Sequence, residues 1–226
     1  MKDEARAVEE IARTAGKGID AARELGSFIA QFIRGPLEQA SEMVEDKLKY
    51  MRWERQQRMI QRSKEFLKQL GLDAPTRAVP MKIAIPILQA ASMEDDDSLQ
   101  DIWVRLLVNA GDAGWKVEIK RMHISILEDL SSLDVRILDT VYSHVGDKIW
   151  RGIWTHELPN SIAERGPQRD DNRPSPEIQL ALGNLVRVGC LSPASTYGGK
   201  ESLSFVFPTV LGQSLYEACT LRRSQG

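Results

Sequence analysis

The stretch that decides the fold runs from Gly35 to Leu70 and reads GPLEQASEMVEDKLKYMRWERQQRMIQRSKEFLKQL. After its own Pro36 it contains no helix-breaking residue. Proline is favoured in the first turn of a helix, because its missing N–H would have no partner there. Gly71 can end the helix, since glycine adopts the left-handed conformation that closes a last turn. We therefore predict a helix over residues 36–70.

The same stretch carries the strongest charge feature of the chain. Residues 47–68 contain eight lysines and arginines and two glutamates, although the whole chain has a net charge of −2. Four arginines fall within about 120° of one another on a helical wheel, given about 100° per residue. They are Arg52, Arg55, Arg58 and Arg62. This arginine stripe suits phosphate, nucleic acid, anionic lipid or a protein partner. It equally suits the acidic segments of the same chain, and the sequence leaves both interpretations open.

A long helix is also predicted before this one, over residues 3–34, and small residues recur in it at every fourth position. They are Gly18, Ala22, Gly26 and Ala30. Such a ladder removes side-chain bulk from one stripe, so that another helix can approach closely. We predict helix association there, within the chain or between copies. The alternative is a helix that lies on a membrane surface. The side chains that would enter the acyl boundary are Phe28, Ile29, Phe32 and Ile33.

Gly35-Pro36 is predicted to kink or end the first long helix, since proline removes a donor and clashes with the preceding turn. Three shorter helices follow, with predicted bounds of about 81–91, 97–110 and 117–130. Four consecutive carboxylates, from Glu94 to Asp97, stand at the start of the second of them. Acidic residues favour a helix start, and the spacing and turn glycine of a calcium loop are missing. We therefore expect a helix start there and no metal site.

The pattern changes after residue 130. The expected order in residues 131–226 is three helices, a β-hairpin and a last helix, with the second helix beginning at Thr155 or Pro159 and a glycine turn at 198–199 in the hairpin. This order resembles a winged-helix domain. We predict a mainly α fold, in which a helical region with long kinked helices over 1–130 precedes a winged-helix-like domain with a small β-hairpin.

DNA reading by such a domain depends on the charge of its third helix. That helix contributes one cation, Arg187, and the hairpin tip contributes Lys200 next to Glu201. Residues 130–226 carry ten cations and ten anions, whereas attraction to phosphate supplies most non-specific DNA affinity. We expect protein–protein interaction or scaffolding from this domain, with nucleic-acid contact through Arg187 and Lys200 as the weaker alternative.

Sequence motifs of catalysis are absent from the chain. It contains no HExxH, GxSxG, P-loop or GxGxxG motif. His123 is expected to be an ordinary surface or boundary histidine. The two cysteines have no CxxC spacing, which fits a reducing cytoplasm. The start lacks the apolar region of a signal peptide, and no apolar run is long enough to span a membrane. We expect a cytoplasmic, non-enzymatic protein without a cofactor or a metal, and peripheral membrane contact stays open.

Three phrases carry a family resemblance. They are GPLEQASEMVEDKLKYMRWERQQRMIQRSKEFLKQLG from Gly35, PILQAASMEDDDSLQDIWVRLLVNA from Pro86 and ISILEDLSSLDVRILD from Ile124. Together they resemble the bacterial abortive infection alpha family over roughly residues 15–145. The resemblance implies phage defence, in which an infected cell stops growing or dies before phage can spread, and it brings no catalytic residues to this chain.

We therefore expect an anti-phage protein that acts as a homo-oligomer, through a protein partner or on a membrane surface. The alternative is a winged-helix regulator or sensor that binds nucleic acid.

Overall fold

The computed structural model describes residues 23–33, 53–146, 148–164, 174–195 and 201–221. In these ranges the protein is mainly helical, with eight helices and one three-stranded antiparallel sheet. The helices are α1 (23–33), α2 (Trp53–Gln69), α3 (Met81–Met93), α4 (Asp97–Gly111), α5 (Arg121–Glu128), α6 (Ser132–Val145), α7 (Pro176–Arg187) and α8 (Val210–Cys219). The strands are β1 (Ile153–Trp154), β2 (Leu191–Ser195) and β3 (Glu201–Pro208).

Most predicted helices of the first 130 residues are found close to their predicted bounds. The helices α3 and α4 agree with predicted 81–91 and 97–110, and the described parts of the two long helices are the helical segments α1 and α2. The predicted kink at Gly35-Pro36 lies outside the described residues. The helix predicted over 117–130 is shorter, because the backbone is still extended at Lys120, and only Arg121–Glu128 is helical.

The helix predicted to begin at Thr155 is wrong, because the chain there continues the sheet. The backbone N–H of Thr155 donates to the carbonyl oxygen of Ser204 at 3.2 Å. Its hydroxyl donates to the carbonyl oxygen of Leu203 at 2.6 Å, and the residue is fully buried. The alternative start at Pro159 is also wrong, since residues 155–164 form turns and extended chain. Pairing with a strand nearly 50 residues away therefore overrides the local helix signal.

The sheet has the strand order β1-β3-β2, and β3 pairs antiparallel with both neighbours. Ile153 of β1 pairs with Val206 of β3, and both side chains are buried in the core. Because neighbouring residues of a strand point to opposite faces, the next pair, Trp154 with Phe205, faces away from the core. The predicted hairpin strands are thus found as β2 and β3.

One apolar core runs across the predicted boundary at residues 130 and 131. The helix α4 lies at its centre, with Leu106 and Leu107 fully buried. The last helix α8 packs against α4, where the side-chain amide of Asn109 donates to the carbonyl oxygens of Ala218 at 2.8 Å and Thr220 at 3.2 Å. The division into two domains stays a prediction, and the described parts of both regions share this core.

The helix α1 is packed onto this core by its apolar face. Phe28, Ile29 and Phe32 are buried, and the carbonyl oxygen of Phe32 accepts the backbone N–H of Val79 at 2.8 Å. These side chains, which the sequence analysis considered for a membrane surface, therefore contact protein. None of the helices in the described part of the chain combines the length and the apolar content that a bilayer crossing requires.

Candidate partner-binding surfaces

The arginines of α2 face the acidic first half of α4. The carboxylate of Asp101 binds two arginines. Nη1 of Arg58 lies 2.9 Å from its Oδ1, and Nε of Arg62 donates to the same oxygen at 2.9 Å. Arg55 bonds to the carboxylate of Asp97 and to the carbonyl oxygen of Asp95. The two oxygens of a carboxylate can each accept more than one hydrogen bond, and arginine presents its donors in a planar fork. One carboxylate can therefore bind two arginine side chains. The two helices are therefore joined by a network of charges as well as by apolar contact.

The carboxylate of Asp101 is stabilised in its ionised form. Burial opposes ionisation of Asp101, but the hydrogen bond from Arg62 and the charge of Arg58 outweigh it and lower the pKa of that carboxyl. The hydrogen bond to Asp101 likewise raises the pKa of Arg62. Asp96 caps α4 by accepting the backbone N–H groups of Ser98 and Leu99, and the latter bond is the largest cause of its lowered pKa.

Three of the four predicted stripe arginines thus pair within the chain, and the fourth, Arg52, lies outside the described residues. This is the internal pairing that the sequence analysis left open, and binding of the stripe to an anionic surface stays a prediction. Sequence reasoning identified Asp97 as part of a helix start and missed Asp101 as a partner. The available signal was the excess of acidic residues over 94–129, opposite in sign to the basic stretch.

The ladder of small residues lies partly within the described chain. Gly26 and Ala30 are half-buried on α1, next to the face that packs on the core, whereas Gly18 and Ala22 lie outside the described residues. A Cβ atom built at Gly26 meets no described atom within 4 Å. The structure therefore leaves space along the described part of this stripe, and helix association through it stays a prediction.

Arg187, the predicted nucleic-acid contact on α7, is bonded to other residues of the same chain. Arg187 bonds to the carboxylate of Asp129 at 2.9 Å and to the amide oxygen of Asn184 at 2.8 Å. The amide nitrogen of Asn184 in turn donates to the carbonyl oxygen of Asp129 at 2.8 Å. Lys200 lies outside the described residues. Because the partner carboxylate neutralises Arg187, the described part of α7 offers little net attraction to phosphate.

His123 is buried, and the prediction of a surface or boundary histidine is therefore wrong. Its Nδ1 accepts the backbone N–H of Lys120 at 3.1 Å, so the ring proton lies on Nε2, which faces the hydroxyl oxygen of Ser214 at 3.0 Å. Both ring nitrogens have partners, which makes burial tolerable. A base that activates serine must accept its proton at Nε2. This imidazole donates there, so the pair is a structural contact.

The free energy of unfolding is expected to decrease as the pH falls below about 6.5. Burial, together with the charge of Lys120, lowers the pKa of His123 from its ordinary 6.5. The unfolded chain then takes up the proton before the folded one, so this stability is present above the unfolded pKa and is lost toward the folded pKa, at up to about 1.4 kcal/mol per pH unit. Urea unfolding between about pH 7 and pH 5 measures the slope.

The matched control for this prediction is the exposed His144 on α6. His123→Gln should flatten the pH dependence in that range, whereas His144→Gln should leave it unchanged. An unchanged slope in His123→Gln would contradict the assignment.

The two cysteines are buried and unbonded. Burial raises the pKa of Cys190 and of Cys219 to about 12 each, so both remain thiols at neutral pH and are poor nucleophiles. No group of three histidine, cysteine, aspartate or glutamate side chains among the described residues is arranged to hold a metal ion.

Comparison with known proteins shows a match to a protein family. The family model described as abortive infection alpha matches residues 54–219, which is most of the chain. No curated protein and no solved structure matches the chain.

Proposed function

Because the chain belongs to the abortive infection alpha family, we propose that it is an anti-phage protein that acts without catalysis, through association of its helices with a second copy. The matched range covers α2 to α8, and α1 precedes it. Membership of the family supports the role in phage defence. The mode of action rests on the structure of this chain, and on α1 above all.

The observation that carries the proposal is the open side of α1. The helix is fixed to the body by Phe28, Ile29 and Phe32, so its orientation is set by the core. Gly26 and Ala30 lie beside this buried face, and a Cβ at Gly26 has no described neighbour. A glycine inside a helix costs about 1 kcal/mol relative to alanine. Close approach of a helix from a second molecule would compensate for that cost.

Gly26→Leu should abolish self-association and phage protection without destabilising the protomer. The leucine side chain has room within the described protomer, but it fills the stripe that a second helix would need. Sedimentation velocity measures association, and survival of phage-infected cells that express each variant measures protection. Helical content and the midpoint of urea unfolding should remain at or above the wild-type values.

The matched control is Gly26→Ala, which keeps the stripe narrow and should raise helix stability by about 1 kcal/mol. It should associate and protect as wild type does. A Gly26→Leu protein that still associates and protects would refute the proposal. A leucine variant that unfolds more easily would show that the side of α1 is packed within the protomer.

Contact of the arginine stripe with an anionic lipid surface or a partner would require α2 and α4 to separate. Arg58 and Arg62 share the carboxylate of Asp101 in the closed arrangement. Their guanidinium groups are therefore engaged until that network opens. We propose this contact only for a state in which α2 and α4 have separated.

The second candidate function is that of a winged-helix protein that binds nucleic acid. The chain order α6, β1, α7, β2, β3, α8 and the sheet order β1-β3-β2 favour a winged-helix arrangement for residues 131–226. The ion pair between Arg187 and Asp129 argues against duplex reading by α7. Duplex binding that decreases steeply with salt and is abolished in Arg187→Ala combined with Lys200→Ala would support this function.

A further inference from the structure

The outer face of the sheet carries three aromatic rings that pack on one another. The ring centroids of Trp154 and Phe205 are 4.7 Å apart, and those of Phe205 and Phe207 are 5.4 Å apart, each pair edge to face. Phe207 is 38% exposed. Apolar side chains grouped on an exposed sheet face commonly mark an interaction site. We name this group, together with Trp150, the aromatic patch.

The position of Gly152 shows how the patch is built. A Cβ there would lie 2.3 Å from the ring of Phe205 and 2.9 Å from that of Phe207, so the two rings lie over the glycine backbone. Two residues earlier in the chain, Trp150 is 75% exposed. This large indole side chain is thus exposed, two residues before the glycine on which the rings lie, and it does not contribute to the core.

Two cations flank the exposed tryptophan. Lys148 and Arg151 are both exposed and lie in the same turn, in which the backbone N–H of Arg151 donates to the carbonyl oxygen of Lys148 at 2.9 Å. Neither forms an ion pair with a described residue. In this respect they differ from Arg58, Arg62 and Arg187, whose charges are neutralised within the chain.

We propose that the aromatic patch binds single-stranded nucleic acid, with bases on the aromatic rings and phosphates beside Lys148 and Arg151. Every base has a π-face, so aromatic side chains next to cations bind single strands with little sequence preference. A duplex fits less well, because its bases already stack on one another. Insertion into a bilayer needs a broad apolar face, whereas Trp150 is the one ring of the patch that is more than half exposed. None of the residues of this surface lies on α1 or on α7.

The test is fluorescence anisotropy of the full chain with a labelled oligothymidylate of about 20 nucleotides, longer than the roughly 4–16 nucleotides of known single-strand sites. Trp150→Ala should weaken binding by about fivefold or more, since a stacked base contributes about 1–3 kcal/mol. Lys148→Ala combined with Arg151→Ala should reduce the slope of log affinity against log salt by about 1.4, or about 0.7 for each phosphate that is no longer neutralised.

The matched control is Leu180→Ala, which removes another exposed large apolar side chain, 77% exposed on α7. It should leave binding unchanged. All four substituted side chains are exposed, so the variants should unfold as wild type does. The proposal is overturned if the oligothymidylate does not bind, or if Trp150→Ala binds as tightly as wild type. Preference for a duplex that disappears on Arg187→Ala and Lys200→Ala would also overturn it, as would binding only to anionic vesicles that depends on Trp150.

Discussion

Gly212→Ala is expected to destabilise the protein by about 2–6 kcal/mol. A Cβ at this position would lie 2.0 Å from the hydroxyl oxygen of Tyr142 and 2.4 Å from the carbonyl oxygen of Cys190. Overpacking a buried site costs about 1–3 kcal/mol. Displacing the tyrosine also leaves buried polar groups unsatisfied, which costs a further 1–3 kcal/mol or so. Urea unfolding followed by circular dichroism measures the change.

The tyrosine cannot move aside cheaply, because its hydroxyl joins three parts of the fold. It donates to the carbonyl oxygen of Cys190 ahead of β2 and accepts the backbone N–H of Thr209 at 2.9 Å. Thr209 also caps α8, where its hydroxyl oxygen accepts the backbone N–H of Gly212 at 3.0 Å. Burial raises the pKa of Tyr142 to about 12, so the phenol keeps its proton and its donor role at neutral pH. The absence of a side chain at Gly212 is therefore required by this junction.

Gly183 on α7 provides the matched control, since a Cβ there meets no described atom within 4 Å. Gly183→Ala should stabilise the protein by up to about 1 kcal/mol, because alanine favours a helix interior. Equal effects of the two glycine substitutions would refute this account.

Local signals predicted most of the helices. The acidic run before α4 includes its capping residue Asp96, and Gly111 ends the helix, so both bounds could be read from neighbouring residues. The absence of a helix at Thr155 could not be read in this way, because the backbone of Thr155 pairs with Ser204, nearly 50 residues later. The burial of His123 was likewise hidden, since its ring contacts Ser214, 91 residues away. Features that depend on distant partners are the ones that periodicity does not show.

The candidate surfaces also include residues that the sequence predicted and residues that it did not. Helical periodicity placed Arg55, Arg58 and Arg62 on one stripe, and the structure has them facing α4 together. Their partner Asp101 is 39 residues from Arg62, and the acidic excess over 94–129 marks its region without singling out this residue. The aromatic patch was missed for a related reason. Phe205 and Phe207 alternate on one strand, but the strand that adds Trp154 to them is two residues long and lies far away in sequence.

Asp101→Asn is expected to destabilise the protein by about 2–4 kcal/mol. The substitution keeps the size of the side chain and removes the charge that holds Arg58 and Arg62. Removing one partner of a buried ion pair costs about 3–5 kcal/mol, because the other charge remains unpaired. The Asp101 side chain is 15% exposed and the two arginines are 27% exposed, so solvent reduces this cost. Urea unfolding at pH 7 measures the difference.

The pH dependence separates a charge effect from a packing effect. The pKa of Asp101 is lowered from its ordinary 3.8, so its stabilisation is present above the unfolded pKa and is lost as the pH falls through the folded pKa. The difference between wild type and Asp101→Asn should therefore shrink below about pH 4. Asp97→Asn is the control, because Asp97 is 66% exposed although it pairs with Arg55 and Arg58. It should cost about 0–1 kcal/mol. If both substitutions cost the same at pH 7, or if the Asp101→Asn deficit persists at low pH, the charge network does not hold α2 against α4.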